Sequence, residues 1–140
     1  MYGKSLLFSV ENLALSGEAS QINTYGFFHA SNGNDGDYST LANTGSVGAN
    51  AWWKVVLKRR SFIDSIVAST RHNNNFKRIN GSTIYVDDQF VGTVIFESGK
   101  QHYSFNALGL YGSVVKVWGG QSYVALGEVE VYGWYSGTLY

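Results

Sequence analysis

The chain contains no cysteine, so no disulfide holds it and no thiolate chemistry is open to it. Chains of this kind tolerate either redox compartment, and cysteine usage leaves the compartment open. Net charge is absent as well. Ten basic and ten acidic residues cancel, which removes the electrostatic case for nucleic acid or a polyanionic surface as partner. No apolar run approaches the roughly 20 residues a membrane helix needs, so a soluble chain without membrane insertion is expected. The start, Met1 to Val10, has too short an apolar part for a signal peptide, and Glu11 ends it. The patterns of catalysis are missing too. His29, His72 and His102 lie far apart without zinc spacing. No G-x-S-x-G elbow or phosphate-binding glycine loop occurs, and Asp87-Asp88 sits where a hairpin turn expects acidic residues. Catalysis needs a nucleophile–base pair, a carboxylate pair or an open metal site, so a non-enzymatic chain is expected.

What is present is a single domain, residues 1–140, long enough to bury a core. Charged residues make up 14% and aromatics 16%, a balance that excludes disorder. Short β-branched and aromatic runs alternate with Gly, Asn, Asp and Ser clusters, the pattern of an all-β fold. Strands are predicted over Trp52 to Lys58, with Trp53, Val55 and Leu57 on one face, and over Phe62 to Thr70. Gly81 to Val86 and Phe90 to Phe96 form a predicted hairpin turned by Asp87-Asp88-Gln89. His102 to Phe105, Ser113 to Trp118 and Tyr123 to Tyr132 complete the strands. Between Gly17 and Ala51 regular pattern is scarce. An ordered loop of that length is usually functional, and a metal ion would serve to hold it.

Two stretches carry chemistry. In Thr70 to Arg78, Arg71 and Arg78 flank Asn73-Asn74-Asn75. Guanidinium offers several fixed donors and asparagine both donates and accepts, a combination that grips hydroxyl-rich or anionic ligands. The bland alternative pairs Arg71 with Asp64 or Glu97 and Arg78 with Asp87, as surface ion pairs worth about 0–1 kcal/mol. In the second stretch, Asn32, Asp35, Asp37 and Thr40 lie close together, with Glu128 far downstream. Calcium prefers six to eight hard oxygens of these kinds, although Asn-Asp-Gly-Asp also forms a turn unaided.

The succession Asn12-Leu13-Ala14-Leu15, Ala30-Ser31-Asn32, Asn34-Asp35-Gly36-Asp37, Trp52-Trp53-Lys54-Val55, Arg71, Arg78-Ile79-Asn80-Gly81 and Leu126 to Gly133 resembles the discoidin, or coagulation factor V/VIII type C, superfamily. Within it the F-type lectins (fucolectins) are the nearest likeness, followed by galactose-binding-like carbohydrate-binding modules. The resemblance runs from about Asn12 to Gly133, leaving 134–140 as an aromatic tail. It implies a jelly-roll β-sandwich with a ligand site in the loops at one end. It also implies a structural Ca2+ ion. Asp35 and Glu128 would give side-chain oxygens, Asn32 and Asp37 mainly carbonyls, Thr40 its hydroxyl and carbonyl, and Gly127 a carbonyl. The ion would pin the long loop to the last strand.

F-type lectins place a histidine, then an arginine, an aspartate two residues on, and a second basic residue five beyond that. Arg71 and Arg78 match the basic positions, Asn73 stands for the aspartate and Thr44 for the histidine. Asn74-Asn75 replaces the adjacent cysteines these lectins often carry. Without the carboxylate and the imidazole, charge-assisted orientation is lost, and the site is open to galactose-type or carboxylated sugars as well as fucose. Tyr25, Phe27 or Phe28 would offer an aromatic platform for a sugar's C–H face, and His29 a donor. The expected partners are glycans bound at an extracellular or exposed surface, in several copies if avidity is needed. The alternative is a protein-binding, adhesion or structural module, for instance a virion or appendage subunit. The aromatic tail would then dock on a second copy or on its own sandwich. Lipid is disfavoured because Phe27-Phe28 has no basic neighbour in sequence.

Overall fold

The computed structural model describes residues 10–70 and 77–135. Along them run the strands β1 (Glu11–Asn12), β2 (Glu18–Gln21), β3 (Ala42–Asn43), β4 (Trp52–Ser69), β5 (Thr83–Val86), β6 (Gln89–Thr93), β7 (His102–Trp118), β8 (Ala125–Leu126) and β9 (Glu128–Trp134). Short 3-10 turns occupy Leu13–Ser16, Ala30–Gly33, Gly48–Asn50 and Lys77–Ile79.

Side chains alternate across a strand, so burial at every second residue marks a face turned to the core. In β4 the buried set is Trp53, Val55, Leu57, Ser61 and Ile63, then Ile66 and Ala68. The parity changes where the pairing of β4 with both β7 and β9 shifts register, between Ile63 and Ser65. A bulge there, with Asp64 facing Ala107, Leu108 and Gly109, keeps both halves of the strand aimed at one core. A second irregularity, between Val56 and Ser61, leaves the exposed Lys58, Arg59 and Arg60 out of the ladder. Trp52 to Lys58 and Phe62 to Thr70, expected as two strands, are therefore one bent strand ending at Ser69. His102 to Phe105 and Ser113 to Trp118 likewise join in β7.

These long strands serve two layers. β2 pairs with the first half of β4, the second half of β7 lies beside it, and β5 and β6 complete that layer. In the other layer β1, β9, the second half of β4 and the first half of β7 pair. Between them lie Trp53, Ile63, Ile66, Ile84, Val115, Val117, Leu126, Val129 and Val131, all fully buried. The chain is all-β, a jelly-roll sandwich, as the sequence leads one to expect. The β5–β6 hairpin turns at Asp87 and Asp88, both at positive φ (45° and 70°), the conformation of a tight two-residue hairpin turn. Tyr123 to Tyr132, expected as one strand, is broken at Gly127 into β8 and β9. β8 pairs with β3 as a separate two-stranded ribbon. Of the aromatic tail, Trp134 stacks on Phe62 at 5.9 Å and Tyr135 lies 4.9 Å from the Arg59 guanidinium, so its beginning docks on its own sandwich. Residues 136–140 lie outside the described residues.

Candidate functional site

Trp53 positions the first site. Its indole N–H donates to the Ala30 carbonyl at 2.9 Å, and a Cβ on Gly33 would fall 2.9 Å from the indole ring. Only glycine lets the Ala30–Gly33 turn lie this close. Asn34 then donates to the Ala14 and Gly17 carbonyls at 2.8 and 3.1 Å, tying the long loop to the Leu13–Ser16 turn. Just beyond Asn34 the loop gathers a knot of oxygens. The Thr40 hydroxyl lies 3.2 Å from the Asn32 carbonyl, 2.8 Å from Asp35 Oδ2 and 3.0 Å from the Asp37 carbonyl. One hydroxyl proton serves three acceptors. The Asp37 carboxylate faces away, accepting from the Ser39 N–H and hydroxyl at 2.8 and 2.6 Å, which holds its pKa below the usual carboxylate value.

Glu128 closes the knot from the start of β9. It is 1% exposed; its Oε2 accepts from the Gly36 N–H at 2.8 Å, and its buried Oε1 has no partner. Burial pushes its pKa up to about 8, opposed by the Gly36 N–H and reinforced by the neighbouring Asp35 carboxylate. A buried acidic oxygen with no partner is costly. Among the described residues no three His, Cys, Asp or Glu side chains come together. The donor set is therefore two carboxylates with carbonyls and a hydroxyl, which suits a hard cation such as calcium and not zinc. Beside it, Tyr38 donates to Glu130 Oε2 at 2.7 Å, and that bond raises its pKa to about 12.

The second site is an open cleft of about 230 Å³ lined by Tyr25, Thr44 and Arg78, together with Asn43, Gly45, Ser46 and Tyr123. Three chain segments build it. The Tyr25 N–H donates to the Asn43 carbonyl at 3.0 Å. Thr44 is 2% exposed; its N–H donates to the Val124 carbonyl, and its hydroxyl accepts from the Val124 N–H, both at 2.9 Å, while donating to the Gly45 carbonyl at 3.0 Å. Arg78 stands on the Lys77–Ile79 turn, rooted by the fully buried Ile79 and by Asn80 Oδ1 accepting from the Phe96 N–H at 2.9 Å. Gln121 Nε2 donates to the Lys77 carbonyl at 3.1 Å. Gly81 and Gly120 touch so closely that a Cβ on Gly120 would fall 2.2 Å from the Gly81 carbonyl carbon. That contact brings the Arg78 turn against Tyr123, whose ring centroid lies 5.3 Å from the guanidinium.

No family model matches the chain. In an 85-residue alignment that covers 54% of this chain and 47% of the relative, the chain is 36% identical to Fucolectin-3 of Anguilla japonica. An f-lectin (fucolectin) from Morone saxatilis (striped bass) serum shares 26% identity at a TM-score of 0.79, over 89% of this chain and 47% of its own. The chain thus spans about half the length of these relatives. A histidine mutant of the lectin binding domain of lectinolysin, complexed with Lewis b, matches with a TM-score of 0.76 and 25% identity over 89% of this chain and 97% of its own. In sequence and fold the chain is similar to F-type lectins.

Tyr25, Thr44 and Arg78 meet in one cleft although the sequence scatters them. Arg71 and Asn73 lie outside the described residues. Phe28 is half-buried and stacks on Tyr25 with centroids 6.3 Å apart, behind the cleft wall. Tyr25 and Phe27 are the exposed rings of that loop, 60% and 87% accessible. His29 opens the Ala30–Gly33 turn and is not among the lining residues. Of the metal candidates, Asn32, Asp35, Asp37, Thr40 and Glu128 converge in the oxygen knot. Gly127 joins β8 to β9 with its N–H on the Ser69 carbonyl at 2.8 Å. The expected alternative pair Arg78–Asp87 gives way to another: Asp87 Oδ2 sits 3.1 Å from Arg60, and its Oδ1 accepts from the Ser113 and Val114 N–H groups. Glu97 pairs with Lys100 at 3.3 Å. Sequence reasoning missed Asn43, Ser46 and Tyr123. Asn43 and Ser46 flank Thr44, and Tyr123 succeeds a Gly-Gly-Gln-Ser turn; that adjacency was the signal within reach.

Proposed function

We propose that the chain is a non-catalytic, carbohydrate-binding lectin domain that takes terminal fucose- or galactose-type sugars of glycans in the cleft of Tyr25, Thr44 and Arg78. The observation carrying this reading is the convergence of Arg78, at a basic position of the F-type motif, with Thr44, which stands where the motif has histidine, and with Tyr25, in a cleft with aromatic and cationic walls. Arg78 supplies donors to hydroxyl oxygens and Tyr25 an aromatic face for C–H groups. The Thr44 hydroxyl, already engaged with Val124 and Gly45, keeps one lone pair for a ligand. In this reading Arg71 and Asn73, which lie outside the described residues, are further sugar-binding residues that the motif implies. The two fucolectin matches support an extracellular or surface setting. Among the described residues no helix is long and apolar enough to cross a membrane.

Calcium belongs to the same proposal. Asp35 and Glu128 would hold it with side-chain oxygens, Asn32, Asp37 and Gly127 with carbonyls, and Thr40 with its hydroxyl and carbonyl. The unpartnered Glu128 Oε1 and the crowding around Thr40 support this. When bound, the ion supplies charge neutralisation and fixes the loop to β9. The test is a glycan array in calcium, in EDTA, and with Arg78→Ala. The expected outcome is binding to a defined terminal sugar, lost in Arg78→Ala and weakened in EDTA. Folded protein that binds no glycan would favour the protein-binding or structural module instead.

A further inference from the structure

We infer that Gln121 is a positioning residue for sugar recognition, setting the Arg78 guanidinium at the cleft wall through Tyr123; this rests on the sugar-binding reading above. The F-type motif orients its arginines with an aspartate, and the sequence has Asn73 in that place. At Arg78 a different set of contacts closes on itself. Gln121 Nε2 donates to the Lys77 carbonyl at 3.1 Å and to the Asn80 carbonyl at 3.5 Å, so one amide spans the turn on both sides of Arg78. The same amide's Oε1 accepts from the Tyr123 hydroxyl at 3.1 Å. The Tyr123 ring then returns to the turn, its centroid 5.3 Å from the guanidinium. Gln121 is the hub of this circuit.

An amide suits the hub because it must donate to two carbonyls and accept from a hydroxyl at once. A carboxylate there could not donate, and an ammonium could not accept. The ring contact matters for a second reason. A cation–π contact holds a guanidinium without consuming an N–H donor, whereas a bidentate carboxylate partner takes two. An arginine steadied by a ring gives up no donor to the group that steadies it, which suits recognition of hydroxyl oxygens. Gln121 is exposed and is not among the residues lining the cleft. Its effect on binding therefore passes through the Lys77–Ile79 turn and Tyr123.

The experiment is calorimetric titration of the whole chain, in calcium, with methyl α-L-fucopyranoside and methyl β-D-galactopyranoside, for the wild type, Gln121→Met and Tyr123→Phe. Methionine keeps the length of the side chain and removes both hydrogen-bonding functions. The sugar that binds the wild type should bind Gln121→Met about five-fold more weakly, and Tyr123→Phe, which keeps the ring, about two-fold more weakly. NMR of the Arg78 Nε–H group in the sugar-free chain reads the placement directly. The tyrosine ring shifts that resonance, and Gln121→Met should move it towards the value of an exposed arginine. A merely structural glutamine would lower the melting temperature of Gln121→Met while leaving its affinity and the Arg78 resonance as in the wild type. That result overturns the inference and leaves the lectin reading standing. Failure of the folded wild-type chain to bind either sugar overturns both.

Discussion

Glu128 concentrates the chemical tension of the molecule in one side chain. A carboxyl whose pKa rises from 4.5 to about 8 on folding binds its proton more tightly in the native state. Its contribution to stability is therefore complete below pH 4.5 and lost as the pH climbs through about 8. In EDTA, melting temperature is expected to fall across that window; in millimolar calcium, where the cation replaces the proton, the fall should vanish. Glu128→Gln keeps an acceptor for the Gly36 N–H without the charge. In EDTA near pH 8 it should melt at or above the wild type, and it should gain nothing from calcium. A calcium response retained in Glu128→Gln would remove the ion from this site. Asp35 and Glu128 stand out in sequence only through the family resemblance, since Asn-Asp-Gly-Asp by itself reads as a turn. Asn43 and Tyr123 do not stand out, because asparagine and tyrosine occur in loops for many reasons. Only the fold shows that Asn43 Oδ1 lacks a partner and that Tyr123 lies against Arg78.

Among the elements, the paired turns at Lys77–Ile79 and 119–123 decide where the cleft lies. Gly120→Ala puts a methyl group against the Gly81 backbone, and separating the turns should cost about 1–3 kcal/mol while displacing Arg78 from Tyr123. Sugar binding should weaken along with stability, read by titration and denaturant melts of the same variant. Full binding in Gly120→Ala would uncouple the cleft from this contact. Alternation disclosed the strands themselves: Trp53, Val55 and Leu57 face the core as their spacing implies. Strand continuity was hidden, because the residues of a bulge break the alternation that a reader traces. Arg59 to Ser61 and Leu108-Gly109 lie between the strands read in sequence, but they belong to the irregular stretches within continuous β4 and β7.

For the whole molecule, the all-β jelly roll was legible nearly end to end, since it rests on patterning distributed over the chain. The site was legible only in part, because it is assembled from Tyr25, Thr44 and Arg78 across loops whose meeting depends on the ribbon of β3 and β8. Zero net charge leaves recognition to local geometry rather than to long-range steering, so the cleft itself must carry it. The most direct measurement is backbone amide NMR of the calcium-loaded chain titrated with methyl α-L-fucopyranoside and methyl β-D-galactopyranoside. Shifts with one of them are expected to cluster at Tyr25, Asn43, Thr44, Arg78 and Tyr123, leaving Arg60, Asp87 and Leu108 unmoved. Shifts centred on those last residues, or none at saturating sugar, would contradict the sugar-binding reading.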